Sequence, residues 1–388
     1  MYENNQTTAR LILEDGSEFL GKSFGKKGTA IGEIVFTTSM TGYLETLTDP
    51  SYFGQIVVQT FPLIGNYGID ENDMESKKAW PAGYVVRDLC SNPSNFRSQK
   101  SLNQWLGEQD VISILGIDTR QLTRKIREKG VMNCAITTEK YINKSDILNR
   151  IRKFKIKDAV KSVSTKTQQK YQDFSNISKP FGEYVSREKN FKICLMDFGA
   201  KQNIIRSLLQ RGASVITLPY NATAEQIKRL EPDGIMLSNG PGDPAENVEI
   251  VNNLRKIQKL EVPIFGICLG HQLLALANGA KTKKLKYGHR GANQPVIDKT
   301  LEKTFITSQN HGYAVVEESL GKGVGRVSHY NANDKTCEGI EYTKIPAFTV
   351  QFHPEACAGP LDTSYLFDRF FRLVEKNKNQ KENFRICL

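Results

Sequence analysis

The sequence predicts an α/β protein in two parts: a β-rich α+β N-terminal domain, then a C-terminal domain on a mostly parallel sheet flanked by helices. Three observations carry this. From residue 191 onward, short apolar runs alternate with amphipathic helical patterns, the rhythm of a parallel sheet covered on both faces. Ahead of residue 165 the apolar residues alternate in strand fashion between turn signals. Between them the chain turns polar, rich in Gln, Ser and Lys and poor in large aliphatics. The boundaries that follow are residues 1–165, a linker at 166–190, and 191–380. At 388 residues the chain is long enough for two or three separate cores.

In chain order, ARLILEDGSEFLGKSFG reads as two strands joined at Asp15-Gly16, a strong hairpin signal. EIVFTTSM and GQIVVQTF are further strands, with YLETLTDPSY as the turn-rich link between them. Helical patterns follow at SLNQWLGEQ and TRQLTRKIREKG. The second starts at Asp118-Thr119, where either side chain can cap, and stops at Gly130. Beyond the polar boundary come the strand FKICLMDF, the helix KQNIIRSLLQRG and the strand SVITLPY. A helix near Ala224–Leu230, the strand DGIMLS, the helix VEIVNNLRKIQKL and the strand VPIFGI complete the alternation. Sites on such a sheet lie at the carboxyl ends of its strands.

Composition excludes several classes. The N-terminus MYENNQTTAR lacks the basic start and apolar run of a secretory signal. No window approaches the roughly 18 apolar residues of a membrane span. Seven cysteines, an odd number without close spacing, suit reduced thiols in the cytoplasm rather than a disulfide framework. No CxxC or His/Cys cluster has zinc-ligand spacing, so no metal is expected. The net charge of +11 invites a nucleic-acid reading, but residues 150–170 hold eight Lys and Arg against one acid, Asp158, and so carry +7 of it. That run has one aromatic, Phe154, and no binding motif. A solvated helix face or linker accounts for it, and neither nucleic acid nor membrane is expected as a partner.

The chemistry concentrates in PIFGICLGHQ. Cys268 falls where the strand VPIFGI ends and the helical pattern HQLLALANGA begins. Gly266-Ile267-Cys268-Leu269-Gly270 fits the nucleophile-elbow pattern with cysteine in place of serine. A side chain on so sharp a strand-to-helix turn needs neighbours without a Cβ. The turn exposes the sulfur at the sheet's edge and aims a helix N-terminus at it, which favours the nucleophilic thiolate. The N–H of Leu269, just past the nucleophile, is placed to stabilise an oxyanion. A free cysteine is more often a buried small hydrophobe, and Cys194 inside FKICLMDF reads that way. A thiolate needs a base and the base an orienter. QFHPEA supplies both, since His353 and Glu355, two apart in extended chain, point to one side. Cys268, His353 and Glu355 thus form a set in the generalised triad pattern.

Other motifs receive plainer readings. Gly16 to Ser23 matches the phosphate loop GxxxxGKS letter for letter, yet it spans the second arm of a hairpin and opens no helix, so it reads as chance. His271 opens the elbow helix and reads as a packing residue. His289 and His329 sit in polar stretches and read as surface residues. His311, between Asn310 and Gly312, marks a candidate binding turn.

GICLGHQ, SNGPGDP and QFHPEA, in that order, resemble the class I (triad) glutamine amidotransferases over roughly residues 191–375. FTTSMTGYLETLTDPSY, GNYGI and GIDTRQLTRKIREKG narrow this. They resemble the dedicated N-terminal domain of carbamoyl-phosphate synthase small subunits. The resemblance implies a class I amidotransferase-like fold and a γ-glutamyl thioester on Cys268, with His353 as acid and base held by Glu355. It also implies an oxyanion hole from the N–H groups of Gly240 and Leu269. The glutamine site it implies comprises Ser51, Gly240, Gly242, Leu269, Gln272, Asn310, Gly312 and Tyr313. L-glutamine would be the substrate and a large synthetase subunit the partner, as a heterodimer or higher assembly. That partner would bind ATP and Mg and receive ammonia to make carbamoyl phosphate for arginine and pyrimidine synthesis; this chain would bind no cofactor.

Two positions depart from the family pattern. Cys357-Ala358 stands where Ser-Pro is common, placing a second thiol near the site, and Tyr313 stands where Phe is common. An amidotransferase feeding anthranilate or GMP synthesis would have no such N-terminal domain. A free-standing α/β cysteine hydrolase would need no docking domain, and a non-catalytic scaffold would not need Cys268, His353 and Glu355.

Overall fold

A computed structural model describes residues 7–178 and 191–386, which fall into two compact units, Met1–Ala159 and Val160–Leu388. Each is considered by itself.

The N-terminal unit is a closed barrel of seven strands. Around it run Thr8–Leu13, Glu18–Gly25, Ile112–Leu115, Gly83–Val85, Gln55–Gln59, Thr29–Thr37 and Met132–Thr137, the last pairing back to the first. Closure leaves no unpaired strand edge. The predicted hairpin at Asp15-Gly16 is present, with Gly16 at φ +86°, where a glycine costs nothing. The phosphate-loop match lies largely within the strand Glu18–Gly25 and opens no helix. Both predicted helices form. Ser101 caps Leu102–Glu108, and the Asp118 carboxylate accepts the Gln121 N–H (2.9 Å) to start Thr119–Lys129. YLETLTDPSY differs from its reading as a turn: it forms the helix Tyr43–Thr48 and the 3-10 turn Pro50–Tyr52. Tyr43, Leu44 and Leu47 bury one face of that helix. Six residues are too few to display a helical period among so many turn-forming neighbours.

The C-terminal unit is built on a ten-stranded sheet. Its parallel half runs Ala213–Pro219, Phe191–Asp197, Gly234–Leu237, Ile264–Ile267, Ala347–Val350, and holds the predicted strand–helix alternation. The sheet then continues antiparallel through Cys337–Tyr342, Gly325–Asn331, Lys281–Asp298 and Lys303–Val316. This extension is larger than the sequence led us to expect. Its strands are interrupted by bulges, which break the alternation that reveals a strand. The closing helix Tyr365–Ile386 lays Leu366, Phe367, Phe370, Phe371 and Val374 against the sheet around Phe265 and Phe348. Each such side chain contributes about 1.5–3 kcal/mol on burial.

Two expectations are corrected here. The boundary falls before Val160 rather than at 165, and the expected linker at 166–190 starts too early. Val160 packs into the second core, the Thr165 N–H donates to Asp197 (2.7 Å), and Gln169–Tyr171 pairs along the edge strand Ala213–Pro219. The remainder of that linker, 179–190, lies outside the described residues. His329 is fully buried and His289 mostly so, not at the surface as expected. Each meets buried carboxylates contributed by the antiparallel extension, a pairing that polar flanking sequence conceals. All eight basic side chains of 150–170 are exposed, as a solvated face requires. Among the described residues no helix is long and apolar enough to cross a membrane.

Candidate active site

The strand Ile264–Ile267 ends at Cys268, which holds φ +51° and ψ −101° before the helix Leu269–Ala277 begins. Such a backbone costs a non-glycine residue about 1–3 kcal/mol and persists only where its surroundings enforce it. They do. The Cys268 N–H donates to the Val350 carbonyl on the neighbouring strand (2.9 Å), and the Gly270 N–H donates to Ser238 (3.0 Å). A Cβ on Gly266 would lie 2.9 Å from Thr349 Cγ2, and one on Gly270 would lie 2.5 Å from the Leu237 carbonyl oxygen. Both glycines are there because the turn is packed on both sides. Leu269 is the first helical residue, so its N–H has no acceptor within the helix.

His353 and Glu355 follow the strand Ala347–Val350, next to the elbow strand. All three side chains are buried, with 2% or less of their surface exposed. His353 Nδ1 lies 2.7 Å from Glu355 Oε1, and its Nε2 has no hydrogen-bond partner. Burial and the Lys201 ammonium both press this imidazole toward neutrality. Glu355 and the Cys268 sulfur outweigh them, and its pKa rises to about 10. Burial would raise the Glu355 carboxyl, but His353 and Lys201 hold it down at about 2. At neutral pH the imidazole therefore carries its proton and the carboxylate its charge. The pair can give a proton to a leaving group and recover one from water.

The loops around the sulfur gather most of the other predicted residues. The Cys268 thiol donates to the Asn310 carbonyl (3.7 Å), and Gln272 Nε2 donates to the Tyr313 carbonyl (2.7 Å). Gly312 lies between those two carbonyls along the strand Lys303–Val316. Gly240 abuts the elbow: a Cβ there would collide with the Phe198 carbonyl and lie 2.8 Å from Leu269 Cδ2. Gly242, at φ +91°, is exposed on the same loop. Ser51 belongs to the N-terminal unit, in the turn Pro50–Tyr52, where its N–H donates to Asp49 (2.8 Å). His271 packs behind the elbow with Nδ1 2.8 Å from Thr349 Oγ1, and burial drops its pKa to about 3, so it stays neutral.

Two residues escaped the sequence reading. Lys201 Nζ lies 3.5 Å from Glu355 Oε1, with its chain buried and its backbone N–H held by Asn239 Oδ1 (3.1 Å). The signal available was MDFGAK, an Asp–x–Gly turn at the end of a parallel strand. Gln351 is fully buried two residues before His353 and donates to the Cys268 sulfur (3.6 Å). Only its place beside QFHPEA could have marked it. One further cluster has metal-ligand composition, namely His289, His311 and Glu338. Its members are engaged otherwise. Glu338 accepts from Gln309 (3.1 Å) and Asn331 (3.3 Å), His289 Nε2 lies 2.9 Å from Asp334, and His311 Nδ1–H donates to Tyr313 (2.7 Å).

A cysteine on a strained elbow, a charged imidazole–carboxylate pair and helix-terminal N–H groups define a class I glutamine amidotransferase domain, and the family model for "Glutamine amidotransferase class-I" matches residues 194–373. Residues 11–136 match "Carbamoyl-phosphate synthase small chain, CPSase domain". Among curated proteins, the carbamoyl phosphate synthase small chain of Fusobacterium nucleatum is 48% identical over 95% of this chain and 98% of its own. That of Bacillus cereus is 48% identical over 97% and 98%, and that of Staphylococcus haemolyticus 46% over 96% and 97%. The solved structure of a putative GMP synthase component from Thermoplasma acidophilum aligns over its whole length with half of this chain, at 21% identity and a TM-score of 0.45. The chain belongs to the carbamoyl-phosphate synthase small chain family, and is part of an enzyme.

Proposed function

We propose that this chain hydrolyses L-glutamine through Cys268, His353 and Glu355 and delivers the ammonia to a large synthetase subunit. The observation that carries the reading is the strained Cys268 elbow beside a charged, buried His353–Glu355 pair. The Cys268 thiolate attacks the side-chain carboxamide carbon of glutamine. The oxyanion that forms is met by the N–H groups of Leu269 and Gly240. His353 passes its proton to the nitrogen, the C–N bond breaks, and ammonia leaves a γ-glutamyl thioester. His353 then takes a proton from water as the water oxygen attacks that thioester; the C–S bond breaks and glutamate departs. Glu355 holds the imidazole's orientation and favours its charged form, and Lys201 in turn holds Glu355 ionised. Gln272, Asn310, Gly312, Tyr313 and Gly242 shape the pocket for the amino-acid end of the substrate.

Ammonia protonates in water and ceases to be a nucleophile, so its use calls for a closely bound acceptor chain. In this reading ATP and Mg belong to that large chain, which makes carbamoyl phosphate from bicarbonate for arginine and pyrimidine synthesis in the cytoplasm. The test is ammonia release from glutamine by the purified chain, alone and with its large partner chain, ATP and bicarbonate. Stimulation by the partner and loss in Cys268→Ser support the reading. Full activity without a partner would favour a free-standing hydrolase, and activity surviving in Cys268→Ser would name another nucleophile.

A further inference from the structure

The orientation of one buried amide can be derived outward from the backbone. Gln272 Nε2 faces the Tyr313 carbonyl at 2.7 Å, and a carbonyl can only accept, so that end of Gln272 is its nitrogen. The same nitrogen lies 2.8 Å from the Gln351 side chain, which must therefore present its oxygen there. The Gln351 amide nitrogen is left pointing at Cys268 Sγ, 3.6 Å away. Gln351 is fully buried, and its backbone N–H is fixed to the Glu338 carbonyl (2.9 Å), so water cannot replace this contact by simple rotation of the side chain.

The two polar neighbours of the sulfur treat its two protonation states oppositely. The Asn310 carbonyl accepts from the thiol at 3.7 Å and would repel the thiolate. The Gln351 N–H favours the thiolate, as a donor to a charged acceptor. We propose that Gln351 is a catalytic residue of the glutaminase: its amide N–H holds and stabilises the Cys268 thiolate, while its carbonyl ties that function to Gln272 and the glutamine pocket. The proposal rests on the reading of Cys268 as the nucleophile. It extends the set required for attack from three side chains to four, and assigns a role to a residue in contact with the reacting atom.

The experiment is alkylation of Cys268 by iodoacetamide at neutral pH in the full-length chain, followed by mass spectrometry of the Cys268 peptide. Gln351→Met keeps length and volume but has neither N–H nor carbonyl. Gln351→Glu keeps the acceptor used by Gln272 and removes the amide donor. Both variants are expected to alkylate about tenfold more slowly, the weight of one hydrogen bond to a charged group. Protection by glutamine should weaken in Gln351→Met and persist in Gln351→Glu. Slow alkylation in Gln351→Glu, with protection retained, is the readout that a structural role through Gln272 alone would not give. Alkylation within twofold of the unsubstituted chain in both variants, with their melting temperatures preserved, would overturn the proposal. Ammonia release by Cys268→Ser is measured alongside. If that variant is active the glutaminase reading itself fails. If it is inactive while the Gln351 variants alkylate normally, only the present inference fails.

Discussion

Two sets of a hydroxyl or thiol, a histidine and a carboxylate can be compared among the described residues of the C-terminal unit, and they are built differently. In one, Cys268, His353 and Glu355 meet beside the sheet's parallel half. In the other, Ser328 Oγ lies 2.9 Å from His329 Nδ1, and His329 Nε2 lies 3.3 Å from Asp298 Oδ2. By residue type the second set looks closer to a serine hydrolase than the first. Its backbone bulges at this point, yet neither residue takes a positive φ. Ser328 and His329 are adjacent on the strand Gly325–Asn331, and no helix begins at the serine. Asp298 also accepts from the Tyr365 hydroxyl (2.8 Å) and the Thr300 N–H (2.7 Å), so it anchors the closing helix and a turn. Burial opposes that carboxylate's charge, but His329, the Tyr365 hydroxyl and the Leu301 N–H hold its pKa below the usual range. What distinguishes the reactive set is the elbow, with positive φ at the nucleophile, a helix terminus behind it and glycines either side.

The largest expected effect is the direct contrast between the nucleophile positions. Cys268→Ala should lower glutaminase turnover by roughly four orders of magnitude or more, as removal of a nucleophile does elsewhere. Ser328→Ala should leave turnover within about threefold and lower stability by about 1 kcal/mol, the usual value of one hydrogen bond. Turnover and a denaturant melt on both variants decide it. A collapse of activity in Ser328→Ala, with folding intact, would make the second set part of the chemistry.

The contrast sharpens at the glycines. Gly270→Ala would put a Cβ 2.5 Å from the Leu237 carbonyl oxygen, and Gly339→Ala would put one 2.7 Å from His329 Nδ1. Overpacking of this kind costs about 1–3 kcal/mol, so both variants should melt early. Only Gly270→Ala shifts the Leu269 N–H and the sulfur, and misplacement by about 1 Å costs on the order of a hundredfold in rate. Equal loss of turnover in both variants, assayed well below their melting points, would mean that the elbow has no special position.

How much of this could be read from the sequence differs in the same way between the two sets. The elbow was legible because local sterics force glycine at 266 and 270, and because strand and helix patterns abut at Cys268. His353 and Glu355 were legible as near neighbours in extended chain. Lys201 and Gln351 were not, since their contacts with Glu355 and the sulfur depend on which strands become neighbours in the sheet. His329 and His289 were misread as surface groups for the same reason: Asp298 is 31 positions from one and Glu338 49 positions from the other. Four of the barrel's seven strands were legible as apolar runs between turn signals, whereas Gly83–Val85, Ile112–Leu115 and Met132–Thr137 were not. The bulged antiparallel extension was not legible either, and the helix at Tyr43–Thr48 was too short to show a period.

The smallest expected effect concerns pH. Glu355 has its folded pKa lowered to about 2 from an ordinary 4.5. A depressed carboxyl contributes stability that is fully present above its unfolded value and is lost as pH falls through the folded one. The window for Glu355 is therefore roughly pH 4.5 down to 2. In Glu355→Gln that contribution is absent, so the melting temperature of the unsubstituted chain, relative to the variant, should fall as pH drops through the window. Between about pH 5 and 6 the difference between the two should be flat, because the carboxylate is ionised in both folded and unfolded chains; above that it should shrink as pH rises toward 10, because Glu355 holds His353 protonated and the variant lacks that partner. Asp298→Asn should show a window of the same sign through the second set, since its carboxyl is also depressed. The two separate in activity: at pH 7, Glu355→Gln should lower turnover by about a hundredfold, within the range for general acid–base groups, and Asp298→Asn should not. A Glu355→Gln difference that stays constant from pH 5 to pH 2 would mean that the carboxylate is not held charged by His353 and Lys201, and the contrast between the two sets would then rest on the elbow alone.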